Sequence, residues 1–182
     1  MATSTINLHD APAVGFEQPF EMLMACHERV ERTLALLQRL AAHVAAQGTD
    51  ESARQAAADV LRYFDRAAPA HHEDEERHVL PALRRSGQAD WVELAERLQR
   101  EHEGMARAWA ELRPALADLA QGHWESATAA RNFARWQDFA ALYVEHIAIE
   151  NGLAFGAASS LLDEPARQAM GVEMARRRGI LR

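Results

Sequence analysis

Cysteine is nearly absent. Cys26 is the single one among 182 residues, which excludes a disulfide framework and points to a reducing compartment. A basic excess is missing too: the net charge of -7 argues against a nucleic-acid footprint. No stretch approaches the ~18 apolar residues that span a bilayer. The opening MATSTINLHDAPAV lacks the basic flank and apolar run of a secretory leader. These absences lead to the expectation of a soluble cytoplasmic chain with neither a nucleic-acid nor a membrane partner; they leave its oligomeric state open. β-Branched residues are also sparse, and alanine, leucine, glutamate and arginine dominate, a helix former's composition.

The length suits one compact domain with a sizeable core. Punctuation divides it into four long segments. The breaks are Gly48-Thr49-Asp50, Ser86 to Asp90, Gly122, and Asp163-Glu164-Pro165. Asp163 reads as an N-cap, and Asp90 with Glu93 as a capping box. Residues 1–16 read as an irregular arm, 17–160 as the main body and 161–182 as a short C-terminal helix. Each long segment carries an apolar stripe in alternating steps of three and four. The stripes run Phe20, Leu23, His27, Val30, Leu34, Leu37, Ala41, Val44; then Leu61, Phe64, Ala68, His72, Glu76, Val79, Leu83; then Trp91, Leu94, Leu98, His102, Met105, Trp109, Leu112, Leu116; then Trp136, Phe139, Tyr143, His146, Glu150, Leu153, Ala157. Short connections make neighbouring helices antiparallel. The expectation is an all-α, up-down-up-down four-helix bundle with a short fifth helix. Pro69 predicts a kink or break in the second helix, and Pro114 a milder bend in the third.

Polar residues interrupt these stripes. Every stripe contains a histidine, and the second and fourth add a carboxylate one turn later, as His72/Glu76 and His146/Glu150. Each taken alone has an ordinary explanation: a hydrogen-bonded core histidine, or a surface ion pair at i,i+4. Together they are costly to bury unless something satisfies them all, and a metal does so by turning imidazoles and carboxylates into ligands. In an antiparallel bundle His27, His72, His102 and His146 fall at one depth. Nitrogen and oxygen donors without thiolate suit iron, manganese or zinc. Four histidines and two carboxylates exceed the four ligands of a structural zinc and suit two metals bridged by the carboxylates.

The stretch HHEDEE, residues 71–76, offers two registers. His71/Glu75 has the same spacing as His72/Glu76. Stepping back by seven from Val79 and Leu83 gives 72 and 76, which favours that pair. On this reading Glu73, Asp74 and Glu75 form an exposed face pairing with Arg77 or Arg66, and His71 is an orienting or solvent-facing residue. His9, His43, His78 and His123 read as surface groups, Cys26 as a small packed residue, Tyr143 and Trp109 as core. Arg176-Arg177-Arg178 reads as a solvated helix end.

The segments ACHERVE, HHEDEERHVLPAL, REHEGM and VEHIAIEN resemble the hemerythrin-like family, in its HHE cation-binding branch. The resemblance spans about residues 17 to 160. It implies a centre of two non-haem iron ions, oxo- or hydroxo-bridged. His27 and His72 would hold one iron, His102 and His146 the other, with Glu76 and Glu150 bridging. Oxygen-carrying relatives place a second histidine on the third helix where this chain has Ala106. That departure implies an extra open position, with Glu73 a candidate substitute ligand. The function implied is binding or sensing of a small molecule such as O2, NO or peroxide. Rival readings are an iron-holding module without turnover, a di-iron protein of iron–sulfur repair or nitrosative stress, and a helical interaction protein with a merely structural polar seam. Whether the chain is an enzyme stays open.

Overall fold

The computed structural model describes residues 15–180. Most of the expected arm, residues 1–14, and His9 within it lie outside the described residues. The described residues are mostly helical, with no strand among them. Helix α1 is Pro19–Gln47. Helix α2 occupies residues 51–85, α-helical over Glu51–Arg62, Ala68–Asp74 and Leu80–Arg85 with π turns at Tyr63–Ala67 and Glu75–Val79. Helix α3 is Ala89–Ala120. Helix α4 covers residues 129–161: Ala129–Ile149, a π turn at Glu150–Ala154, then Phe155–Leu161. Helix α5 is Glu164–Arg177.

The helices stop where turn chemistry says they should. Gly48 and Gly122 take positive φ, a conformation glycine adopts without Cβ strain. Asp50 and Asp163 cap α2 and α5 by accepting from the N–H groups of Ala53 and Ala166. The capping box at Asp90 and Glu93 does not form. Helix α3 starts at Ala89 behind Gln88, which gives no side-chain cap, and Asp90 instead sits in the first turn, where its charge favours the helix dipole.

Pro69 does not break α2. A proline ring clashes with the carbonyl four residues back and removes a hydrogen bond. Here the turn ahead of it widens, and the Ala68 N–H donates to the Tyr63 carbonyl in a π pattern. The same device precedes Pro81, where the Leu80 N–H donates to Glu75. Each π turn holds about one residue more than an α turn, so the side-chain stripe slips by one position across it.

Helix α2 packs along α3 and against α1, α4 against α3 and α1, and α5 across α1 and the middle of α2. The buried apolar residues form two clusters. One contains Val30 to Val44, Ala53 to Ala68, Met105 to Leu119 and Trp136 to Ile147. The other contains Phe20 to Cys26, Val79 to Leu83, Ala95 and Leu98, Ala154 to Ala158, and Met170 and Met174 of α5. On each long helix the polar stripe residues fall at the boundary between them.

Candidate metal centre

At that boundary His27, His71, Asp74, Glu75, His102, His146 and Glu150 are all at most 3% exposed. Their ligand-type atoms form two groups. His27, His71, Glu75 and Glu150 make one, and His72, His102 and His146 the other, each with donor atoms within 4.8 Å of one another. The carboxylates join the groups. One Glu75 oxygen faces His71 Nε2 at 3.1 Å and His27 Nε2 at 3.7 Å, while its other oxygen faces His102 Nε2 at 3.5 Å. One Glu150 oxygen lies 3.1 Å from both His27 Nε2 and His146 Nε2, and its second is 3.6 Å from His102 Nε2.

None of these converging atoms has a partner with hydrogen-bond geometry. The Nε2 atoms of His27, His71, His102 and His146 and all four oxygens of Glu75 and Glu150 are buried and unsatisfied. Such groups cost on the order of 1–3 kcal/mol each when left so, and a cation at the centre of each group removes that cost. The donor set fits a metal.

Three of the outward nitrogens are held. His27 Nδ1 is 2.9 Å from Asn151 Oδ1, His102 Nδ1 is 3.1 Å from Glu76 Oε1, and His146 Nδ1 is 2.8 Å from Glu101 Oε2. Acceptors of this kind fix ring orientation and raise ligand basicity. Phe155 stacks on His27 at 5.3 Å between ring centroids. His72 stacks on His102 at 4.2 Å and lies 6.3 Å from the Tyr143 ring. A cavity of about 360 Å³ opens against this second face, lined by His72, His102, Met105, Ala106, Trp109 and Tyr143.

Without metal the cluster balances its own charge. Burial alone would lower the proton affinity of His27, but Glu150 and Glu75 overcome it and raise it to about 9. The same opposition, led by Glu75 for His71, raises that histidine to about 10. For His102, Glu150 and Glu76 outweigh burial and raise it to about 9. His72 goes the other way, to about 3, because burial and neighbouring His102 both oppose a proton. Glu75 falls to about 2: burial and Glu150 would raise it, but His71 and His27 prevail. Protons on the imidazoles thus occupy the role a cation would take.

A family model described as the hemerythrin HHE cation binding domain matches residues 18–158. The chain belongs to that family. A relative from Haemophilus influenzae (strain ATCC 51907 / DSM 11121 / KW20 / Rd), described as an uncharacterized protein, is 33% identical over 104 residues, covering 57% of this chain. The chain matches 60% of that relative's length.

Read as an HHE-family centre, the structure brings His27, His72, His102, His146 and Glu150 together as the stripes require. It corrects the register of HHEDEE. Glu75 is the fully buried carboxylate between the groups, and His71 joins His72 in the cluster. Glu76 is 36% exposed and orients His102 from the rim. The cause is the π turn Glu75–Val79: seven-residue steps back from Val79 and Leu83 cross it and land one position too far along the chain. The same slip on α4 exposes Leu153 and buries Ala154 and Ala158 past the π turn at Glu150. At Ala106, where the resemblance misses a third-helix histidine, His72 reaches in from α2 and completes a three-imidazole group. Glu73 is in neither group and pairs with Arg77 at 2.7 Å and Arg177 at 3.3 Å.

Asp74 is not exposed either. It is fully buried, accepts from Arg177 Nη1, and forms an ion pair with Arg178 Nη2 at 2.6 Å. Arg177 and Arg178 therefore pin α5 onto α2 instead of forming a solvated end. Asn151 and Glu101 were not singled out from sequence. Their only signal was position, each being a polar residue next to a ligand candidate.

Proposed function

We propose that this chain holds two non-haem iron ions and binds a small molecule, O2, NO or peroxide, at the iron with fewer protein ligands. The observation that carries the reading is the set of buried, unpartnered Nε2 and carboxylate atoms converging from four helices in two groups. Five imidazoles and two carboxylates outnumber what one metal takes, and nitrogen and oxygen donors without thiolate suit iron.

In this reading His72, His102 and His146 hold one iron, His27 and His71 the other, and Glu75 with Glu150 bridges them. The apportionment differs from the one the resemblance implied, which paired His27 with His72 and used Glu76. The irons supply reversible electron exchange and attraction for the ligand; the chain supplies everything else. Asn151, Glu76 and Glu101 hold ring orientation. Phe155 and the apolar cluster beyond it keep water from the two-histidine side. That side, with two imidazoles against three, is where the open position belongs. We also read the helix order as up-down-up-down, because the two apolar clusters alternate in order along successive helices. Among the described residues no helix is long and apolar enough to cross a membrane, and a reducing cytoplasm suits the lone thiol.

Metal analysis of the aerobically purified chain, with visible spectra reduced and then in air, tests the reading. Two irons per chain and new charge-transfer absorption in air are expected. Two irons with a spectrum unchanged by air would support an iron-holding module instead. Absence of stoichiometric metal would overturn the metal centre.

A further inference from the structure

The cavity beside His72 and His102 is larger than a two-atom ligand requires. At about 360 Å³ it falls in the size range of small organic ligand sites, roughly 300–1,000 Å³. The open position proposed above belongs to His27 and His71, and neither lines this cavity.

Its inner end is apolar and fixed. Phe64, Met105 and Tyr143 are buried there. The Trp109 ring packs against Phe64 with centroids 5.1 Å apart, and its Nε1 donates to Asp65 Oδ1 at 3.0 Å. Arg113 donates to both Asp65 oxygens at 2.8 Å, so the indole is held ready as a wall. Tyr143 is 3% exposed, and among the described residues its hydroxyl has no hydrogen-bond partner. A buried hydroxyl left so is costly, and a polar group of a ligand in the cavity removes that cost.

The mouth is acidic. Glu73, Glu76 and Glu103 line it with Gln99, and among the described residues no lysine or arginine does so. Glu73 is engaged by Arg77 and Arg177, and Glu76 by His102. Glu103 keeps its charge available: Arg107 lies 3.9 Å away, and both side chains are mostly exposed, an arrangement worth little. Anions are therefore repelled at the mouth and a cation is drawn to Glu103, while the rings beneath offer faces to an aromatic body.

We propose that this cavity binds a small aromatic amine. The ring lies against Phe64 and Trp109, the ammonium meets Glu103, and a hydroxyl at the ring's far end meets Tyr143. The site stands on its own lining and needs no particular chemistry at the metal centre.

Calorimetric titration of the full-length purified chain at neutral pH tests this, with tyramine, phenethylamine and para-hydroxyphenylacetate as probes. Tyramine is expected to bind most tightly, phenethylamine less so, and the carboxylate not at all. Tyr143→Phe should cancel tyramine's advantage over phenethylamine. Glu103→Gln should weaken tyramine about two- to fivefold, the worth of one exposed ion pair. Ala106→Leu, which puts a larger side chain into the cavity from an exposed helix position, should remove saturable binding. No saturable tyramine binding by the natural chain would overturn the proposal, as would equal binding of the carboxylate or full affinity in Ala106→Leu. Glu103→Gln replaces an exposed side chain, so its result is available even if another variant fails to fold, and an unchanged affinity there would overturn the assignment of the ammonium. Metal content of the same sample separates the two readings: tyramine binding without stoichiometric metal removes the metal centre and supports the cavity, and metal without tyramine binding removes the cavity alone.

Discussion

At the residue scale the site turns on neighbouring glutamates with opposite duties. Glu75 is buried between the two groups with both oxygens directed inward; Glu76 reaches one imidazole from the rim. Glu75→Gln is expected to abolish stoichiometric metal binding, because an amide cannot bridge two cations with two anionic oxygens. Glu76→Ala should retain both metals and weaken affinity about 10- to 100-fold. Metal analysis of the two variants side by side checks this, and equal loss in both would contradict the assignment. The histidines were legible in the sequence because a buried imidazole in an apolar stripe stands out. Which glutamate lies inside was not, since the two differ by one position and a single widened turn decides between them.

Elements fix that position from outside. Asp74 lies between His72 and Glu75, and its carboxylate is buried against Arg177 of α5 and Arg178 just past its end. Asp74→Ala removes a buried carboxylate but leaves Arg177 paired with Glu73 and Glu173, so it should destabilise the fold by about 1–3 kcal/mol. Urea denaturation measures it, and a loss below about 1 kcal/mol would place the pair among ordinary surface bridges. A second contact seats the same helix. A Cβ on Gly171 would collide with the backbone carbonyl of Phe16, and neither backbone atom can give way as a side chain would. Gly171→Ala is expected to lower the thermal midpoint although alanine is the better helix former; a raised midpoint would show that residue 16 moves aside freely. The Arg177 and Arg178 contacts escaped sequence reading because their partner lies on another helix, about a hundred residues earlier.

For the whole molecule, the centre is a cross-link among four helices. A metal that binds only the folded state stabilises it by about 2.7 kcal/mol at a hundredfold excess over Kd, so chelation should lower the melting temperature. The effect has a definite pH dependence. In the metal-free chain His27, His71 and His102 hold protons up to about 9 or 10, against 6.5 for the ordinary side chain. Their contribution to metal-free stability is therefore complete below about pH 6.5 and is lost as pH rises through 9 to 10. Metal requires the same imidazoles neutral, so its affinity rises over that interval. The difference in melting temperature between loaded and stripped chains should widen from pH 6.5 to pH 9. A constant difference would mean these histidines do not exchange protons for metal.

The sequence by itself determined the all-helical class, the points where helices stop, and a histidine at a common level on each of four helices. Those follow from local causes: apolar spacing, capping aspartates, glycines free to take positive φ. Tertiary structure decided the register inside HHEDEE, the place of His72 beside Ala106, and the burial of Asp74. Each depends on something no single stripe contains. Two of the π turns stand just ahead of a proline, shifting one part of a helix against the next, and an arginine pair from the far end of the chain needs its counter-charge. A repeat read along one helix assumes a constant pitch. Packing was free to change that pitch, and it did so at the metal centre.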